Sequence, residues 1–173
     1  MPLLKIVHYP EKVLLEVAKP VKDEDFDDGL ADLVSDMFET MYSAGGVGLA
    51  APQVGISKRL FVMDCSGGDE PDQKVALINP EIVTVEGEQY GDEGCLSFPG
   101  IYTKVKREMR TVVRFKDIAG REQELDLSDL PARCVLHETD HCDGIVFLDR
   151  MSPLKREMAR RKIKKLRNTG EWV

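Results

Sequence analysis

Apolar residues recur with helical spacing in the segment that begins after Asp25. They stand at i, i+3, i+4, i+7, i+8, i+11 and i+12, and are Leu30, Leu33, Val34, Met37, Phe38, Met41 and Tyr42. This spacing predicts an amphipathic helix with one buried face. Gly45 and Gly46 follow, and glycine readily adopts the left-handed conformation that ends helices. We therefore expect the helix to end at this glycine pair.

Short apolar runs bounded by turn residues predict a set of strands. They occupy residues 59–64, 74–78, 81–85, 110–115 and 123–127. Asn79-Pro80 is expected to interrupt the chain between the second and third runs. The last two runs are joined by a polar turn that contains Gly120, so they predict a hairpin.

The ends of the chain differ in character. Residues 1–22 contain Pro2, Pro10 and Pro20 and no sustained period, which predicts an irregular segment that wraps around the domain. Residues 145–148 are apolar and are expected to return to the core. Ser152-Pro153 then supplies a cap and a first-turn proline, so a helix is predicted to about Asn168.

A further helix is predicted to begin at Asp129, a plausible N-cap, and to end at Gly144. Within it, His137 and His141 are four residues apart, so they share one face and lie ~6 Å apart along the axis. Two imidazoles so placed can bind one metal ion, as in the HExxH motif. Glu138 points away from that face and is free to exchange a proton with water. The alternative is a surface helix in which the five letters occur by chance.

A catalytic metal site of this kind needs a third protein ligand and an open position. The pattern HExxHxxGxxH would place a histidine where Phe147 stands, so that pattern is excluded. Glu157 is available, but it lies beyond the break before the last predicted helix. Cys95 is the better candidate, because it lies in a predicted loop or strand end at residues 92–100 and a thiolate is a soft ligand. His8 is more typical of a packed or exposed histidine.

Residues 46–55 form a stretch of small residues, GVGLAAPQVG. Its first six letters satisfy the nucleotide fingerprint G-x-G-x-x-A, but that motif follows a strand and opens a helix, whereas here a helix precedes and Pro52 would obstruct the next one. We interpret the stretch as a close-packed loop that lets backbone approach a ligand, with Gln53 as an amide donor. A tight turn packed on the core is the alternative. The residues expected to bind substrate are Gly46, Val47 and Gly48.

Composition favours one globular domain spanning residues 1–173, with 42% apolar and 32% charged residues. No long apolar run follows a basic start, so we expect no signal peptide, no membrane span and a cytoplasmic protein. The four cysteines are accordingly expected to be reduced thiols.

Charge is distributed unevenly along the chain. Between Ser152 and Asn168 there are eight basic residues and one acidic residue, so this segment carries +7 while the whole chain carries −7. The remainder is acidic at −14. This distribution favours a polyanionic partner for the last helix alone.

Several stretches, in this order along the chain, resemble the peptide deformylase family. They are GVGLAAPQ at 46–53, INP at 78–80, EGCLS at 93–97, HETDH at 137–141 and SPLKR at 152–156. The resemblance implies an α+β fold with antiparallel strands packed around a central HExxH helix and with a C-terminal helix. It also implies metal-dependent hydrolysis that removes the formyl group from the initiator formylmethionine of nascent polypeptides and releases formate.

The resemblance further implies a role for each site residue. The metal ligands would be Cys95, His137 and His141, holding one divalent ion, Fe²⁺ in most members, with Ni²⁺, Co²⁺ or Zn²⁺ able to substitute. Glu138 would act first as general base and then as acid. The Gln53 side chain and the Leu96 backbone N–H would stabilise the oxyanion. Bacterial members further imply that the basic helix at about 153–168 contacts the ribosome, and we expect neither DNA nor a membrane as partner.

The chain departs from the family pattern at Leu136, where glutamine is usual, and at Thr139 and Cys142, where apolar residues are usual. Leucine cannot hydrogen-bond through its side chain, so the bond that this glutamine makes beside the site is expected to be missing or rerouted. We expect Cys142 to be an inert apolar filler. Two rival functions are an HExxH peptidase, which would need a third His or Glu ligand, and a ribosome-binding module without chemistry.

Overall fold

The computed structural model describes residues 3–172, so Met1, Pro2 and Val173 lie outside the described part of the chain. The helices are α1 (Asp28–Ser43), α2 (Asp129–Cys142) and α3 (Pro153–Asn168). The strands are β1 (Gly48–Ala50), β2 (Leu60–Met63), β3 (Val75–Glu86), β4 (Gln89–Cys95), β5 (Phe98–Arg107), β6 (Arg110–Lys116) and β7 (Glu122–Ser128).

The strands form an antiparallel sheet and a separate hairpin. The sheet has the order β1-β2-β3-β6-β7, and β4 pairs with β5 in the hairpin. Helix α2 packs against β1, β2, β6 and β7. The predicted fold class, α+β with antiparallel strands around the HExxH helix and a C-terminal helix, is confirmed.

Helix α1 is formed by the predicted apolar face. Leu30, Met37 and Met41 are buried on it and pack against β1 and β2. The helix begins at Asp28 rather than immediately after Asp25, because the Asp27 side chain accepts a hydrogen bond from the Leu30 amide at 3.0 Å and caps it.

Helix α2 is buried on every side. All eleven residues from Ala132 to Cys142 are buried, although the segment contains arginine, histidine, glutamate and aspartate. Asp129 is not the N-cap predicted for it, since Ser128 holds that position and Asp129 has a φ of 60°. Because buried polar groups require partners, the surroundings of α2 must supply hydrogen bonds and counter-charges.

The predicted break at Asn79-Pro80 is wrong. Strand β3 runs without interruption from Val75 to Glu86, with a shift of register between Ile78 and Glu81. Asn79 has a φ of 52°, and a bulge at this point accommodates a proline that cannot donate to the ladder. The Asn79 side chain binds both the amide and the carbonyl of Val21, each at 2.8 Å.

Two other expectations need correction. The stretch 46–55 is not entirely a loop, because it contains β1 and a 3₁₀ turn at Ala51–Val54 with Pro52 in its first turn. Residues 92–100 are the facing ends of β4 and β5, and the long strand β5 was not predicted. Arg107 occupies one of its buried positions, so the sequence lacks the regular alternation of apolar and polar residues that predicts a strand.

The first and last described segments of the chain contact each other, which was not predicted. Residues 3–22 are largely irregular, with a 3₁₀ turn at Lys12–Leu15, and the Trp172 indole donates to the Tyr9 carbonyl at 2.6 Å. Helix α3 is capped by Ser152 and buries Ala159 and Ile163 in the cluster that contains Phe147 and Leu148. Across residues 3–172, no helix is both long enough and apolar enough to cross a bilayer.

The side chain of Asn79 is expected to stabilise the fold measurably. Asn79→Ala removes both hydrogen bonds to Val21 and puts alanine at a positive φ that asparagine tolerates better, so unfolding free energy should fall by about 2 kcal/mol. Urea denaturation measures the change, with Asn168→Ala at the exposed end of α3 as the control. Equal stability of the two variants would contradict this role.

Candidate active site

One thiol and two imidazoles converge between α2 and the end of β4. Cys95, His137 and His141 each offer one ligand atom, and these atoms lie within 4.8 Å of one another. The Cys95 Sγ is 3.3 Å from the His141 Nε2. HExxH spacing places the histidines on one helix face, and the turn between β4 and β5 brings the cysteine to them.

The orientation of the imidazoles fits a metal site. The Nδ1 of His137 donates to Glu93 at 2.7 Å, which leaves its Nε2 available as a ligand. His141 directs its Nε2 toward Cys95, while its buried Nδ1 has no hydrogen-bond partner among the described residues. A thiolate with two neutral imidazoles is a donor set for zinc, iron and related divalent ions. The residues present therefore fit a catalytic metal.

Glu93 is the centre of a buried ion-pair network behind His137. One oxygen accepts from His137 and from Arg107 Nη2 at 2.9 Å. The other accepts from Arg107 Nε at 2.9 Å and from Arg133 Nη1 at 2.6 Å. Glu93 thereby fixes the ring of His137, as carboxylates beside metal-binding histidines commonly do.

The network continues through Asp140 toward the surface. Arg107 Nη1 donates to Asp140 at 2.7 Å, and Asp140 also accepts from Arg150 at 2.9 and 3.0 Å. Arg107 is 5% exposed, so water contributes little to its solvation. Two carboxylates therefore compensate the guanidinium.

These contacts and burial shift the pKa values of the site. Although burial opposes ionisation of Glu93, hydrogen bonds from Arg107 and His137 hold its pKa well below the ordinary value. Burial lowers the pKa of His141 well below its ordinary value, and the positive charge of Arg107 acts in the same direction. His141 is thus kept in the neutral form that a metal requires.

Glu138 lies beside these candidate ligands, and its neighbours leave an oxygen of its carboxylate free. Its Oε1 is buried and has no hydrogen-bond partner within the described part of the chain. Burial raises the pKa of Glu138 to about 7. A β-carbon on Gly48 would lie 2.6 Å from the Glu138 Oε2, so glycine at this position makes room for the carboxylate.

Gln53 and Leu96 both line one pocket. The Gln53 Oε1 accepts from the Ala50 amide at 2.9 Å, which turns its Nε2 toward Cys95 Sγ at 3.5 Å and Ser97 Oγ at 3.3 Å. Leu96 lies in the turn between β4 and β5. The pocket has a volume of about 280 Å³, and its other lining residues include Gly46, Val47, Gly48, Tyr102 and Leu130.

Comparisons with known proteins agree with this geometry. The family profile described as "Polypeptide deformylase" matches residues 3–157. A peptide deformylase of Acidobacterium capsulatum is 49% identical over 172 residues, covering 99% of this chain and 100% of its own. One from Chromobacterium violaceum is 50% identical over 165 residues, covering 95% and 96%. The crystal structure of a peptide deformylase from Legionella pneumophila has a TM-score of 0.89 at 45% identity and covers 98% of both chains.

The chain belongs to the peptide deformylase family. It is a metal-dependent hydrolase that removes the N-formyl group from nascent peptides, which is the activity of that family. The alternative third ligand Glu157 lies elsewhere, paired with Arg161 on the exposed face of α3. The position where the HExxHxxGxxH pattern requires a histidine is Phe147, which packs in a core cluster. His8 lies against Trp172.

The departures from the deformylase pattern at positions 136, 139 and 142 leave the hydrogen bond of His137 in place. Its Nδ1 is bound by Glu93, so this bond does not depend on the residue at position 136. Cys142 is fully buried in a core cluster, and burial raises the pKa of its thiol to about 12, as an inert filler requires. At the third departure, Thr139, a hydrogen-bonding group is left unpaired, because the buried Oγ1 has no hydrogen-bond partner in residues 3–172.

Sequence reasoning did not assign the residues of the ion-pair network behind the candidate ligands. They are Glu93, Arg107, Arg133, Asp140 and Arg150. Glu93 and Asp140 fall inside the deformylase-like stretches EGCLS and HETDH, and this was the one available signal. The three arginines carry no motif, and their partners are distant in sequence.

Replacement of Glu93 should weaken metal binding without removing a ligand. In Glu93→Gln an amide N–H group faces the N–H donors of two arginines, and the His137 ring is no longer held in place. The affinity for metal should therefore fall 10- to 100-fold. Competition with a chromophoric chelator measures the affinity. Glu88→Gln, an exposed partner of Lys106, is the control. Unchanged affinity in Glu93→Gln would show that Glu93 does not orient the ligand.

Proposed function

We propose that Cys95, His137 and His141 hold one divalent ion that serves the deformylation reaction. The observation that carries this proposal is the convergence of their three ligand atoms within 4.8 Å. When bound, such an ion supplies Lewis acidity, which lets water lose a proton near neutral pH and polarises a carbonyl. We propose Fe²⁺ as the resident ion, with Ni²⁺, Co²⁺ or Zn²⁺ able to occupy the same donors. Metal analysis of anaerobically purified protein identifies it.

Glu138 is proposed to transfer the protons of the reaction. It accepts a proton from the attacking water and then delivers it to the amine nitrogen that leaves the formyl carbon. The buried, unpartnered Oε1 supports this role, since that oxygen is free to bind water. A pKa of about 7 also keeps both protonation states accessible near neutral pH.

Gln53 and Leu96 are proposed to stabilise the oxyanion. The bond from the Ala50 amide fixes the Gln53 side chain, so its Nε2 is a donor with a defined direction beside Cys95. The Leu96 backbone N–H would be the second donor, from a residue that lines the same pocket. Two fixed donors of this kind contribute about 3 kcal/mol each to other oxyanion holes.

Gly46, Val47 and Gly48 are proposed to bind the N-formylmethionyl end of the nascent peptide. They line the pocket, and β1 is an edge strand that pairs with β2 on one side. An extended peptide can add to such an edge through backbone hydrogen bonds. Glycine at position 46 permits close approach of the backbone to the Leu96 side chain, because a β-carbon there would lie 2.8 Å from that side chain.

Glu138→Gln tests the proposed chemistry. The variant should retain one metal ion per chain and lose most formate release from formyl-Met-Ala-Ser, because the ligands remain while the proton carrier is gone. Metal analysis and a formate assay measure the two properties. Glu157→Gln, exposed on α3, should leave both unchanged.

Loss of metal from Glu138→Gln would make Glu138 a ligand and would overturn the assignment. The unformylated peptide serves as the control for the rival peptidase. Its cleavage by the wild-type protein would favour that rival, whereas formate release without peptide-bond cleavage excludes it.

We also propose that the protein is a single domain over residues 1–173, works in the cytoplasm and contacts ribosomal RNA through α3. Nascent chains emerge at the ribosome, so contact there would place the site near its substrate. The support is the +7 charge of residues 152–168 in an otherwise acidic chain. Arg160, Lys164 and Arg167 line one groove with Tyr9.

Neutralising the groove should separate ribosome binding from catalysis. The triple variant R160Q/K164Q/R167Q should lose salt-sensitive co-sedimentation with ribosomes and keep peptide deformylation, since phosphate contacts dominate such binding. This design keeps Ala159 and Ile163, which α3 buries in the core, whereas truncation would remove them. K74Q/K106Q/R114Q removes the same charge elsewhere. Equal co-sedimentation of the two triple variants would refute a role for α3.

A further inference from the structure

Two cysteines that take no part in the proposed chemistry lie beside Glu138. Cys134 is buried on α2 one turn before Glu138, and Cys65 is half-buried just after β2. Both are free thiols in the described structure. Cys134 belongs to the cluster between α2 and the sheet, and Cys65 packs against the same cluster. The two thiols are close enough to shift each other's pKa, downward for Cys65 and upward for Cys134.

The carbonyl oxygen of Val47 accepts hydrogen bonds from groups at or next to both cysteines. It accepts from the Asp64 amide at 2.8 Å and from the Cys134 Sγ at 3.7 Å. Asp64 immediately precedes Cys65, so the end of β2 and the second turn of α2 meet at one carbonyl oxygen. Two neighbouring thiols can form a disulfide when their α-carbons are less than about 7 Å apart.

We propose that Cys65 and Cys134 form a reversible disulfide that couples peroxide exposure to deformylase activity. The effect of this disulfide on activity rests on the proposed role of Glu138, whereas the formation of the disulfide does not. Cys65 is the accessible partner, because it adjoins the exposed turn at Gly67-Gly68. The neighbouring Cys134 thiol lowers the pKa of the Cys65 thiol, which favours the attacking thiolate.

The chemistry balances with hydrogen peroxide as oxidant. The Cys65 thiolate attacks one peroxide oxygen, an S–O bond forms, and the O–O bond breaks to release hydroxide, which takes up a proton as water. Cys134 loses its proton and attacks the sulfenic sulfur, so the S–S bond forms and the S–O bond breaks with release of a second water. The two thiols lose two electrons and the peroxide gains them.

The crosslink would act on the site through Gly48 and Glu138. A β-carbon on Gly48 would lie 2.8 Å from the Cys134 Sγ and 2.6 Å from the Glu138 Oε2, so these groups fill the space between β1 and α2. Movement of the Cys134 sulfur toward Cys65 would shift the backbone at Val47, which lines the pocket. Displacements of about 1 Å can cost catalytic activity up to ~100-fold.

Peptide mapping of peroxide-treated, nickel-loaded protein tests the disulfide directly. Trypsin releases residues 60–74 with Cys65 and residues 134–150 with Cys134 and Cys142. The two peptides should appear joined and lighter by two hydrogen atoms, in wild type and in Cys142→Ser alike. Absence of the joined pair, or its loss in Cys142→Ser, overturns the proposal.

Activity provides the second readout. The treated wild type should lose about tenfold in kcat/KM, and dithiothreitol should restore it. Cys65→Ser should match the untreated wild type and resist this reversible loss. A crosslink without a change in activity overturns the coupling but leaves the proposed role of Glu138 in place, because the Glu138→Gln assay tests that role separately. An equal reversible loss in Cys65→Ser also overturns the coupling.

Discussion

The fold depends on supplying hydrogen bonds and counter-charges to the polar side chains of a helix in the interior. Helix α2 places His137, Glu138, Asp140 and His141 where less than a tenth of each residue is exposed to solvent. A buried charge without a partner costs several kcal/mol, so each of these groups constrains what surrounds the helix. The hairpin β4-β5 meets most of this requirement, since it carries both Glu93 and Arg107. Its position against α2 is therefore a structural and a functional necessity.

The same constraint explains why the site is preorganised. Glu93 holds the ring of His137 and is itself held by two arginines, while the turn that follows brings Cys95 toward His141. Ion pairs with this many bonds lose 3–5 kcal/mol when one partner is removed, so the network tolerates little movement. Glu138 stands outside this network, because its Oε1 has no protein partner in residues 3–172. The group proposed to exchange protons is thus one that its surroundings leave free.

Much of this arrangement could be predicted from the sequence, for identifiable reasons. The helices were predicted because periodicity, caps and glycine signals are local, and the deformylase-like stretches contain the donors that converge. Strand β3 was predicted in two pieces, because Asn79 is anchored to Val21, 58 residues away. Strand β5 was missed because Arg107 occupies a buried position that an alternation rule assigns to an apolar residue. The bond between Glu93 and His137 joins residues 44 apart and has no local signal.

X-ray absorption spectroscopy of zinc-loaded protein tests the central claim most directly. If Cys95, His137 and His141 are the ligands, the spectrum will contain one sulfur scatterer at about 2.3 Å and imidazole nitrogens at about 2.0 Å. The sulfur contribution should disappear in Cys95→Ala and persist in Cys142→Ala, whose thiol lies in the core. A spectrum with nitrogen and oxygen ligands alone, or a sulfur that survives Cys95→Ala, would contradict the account.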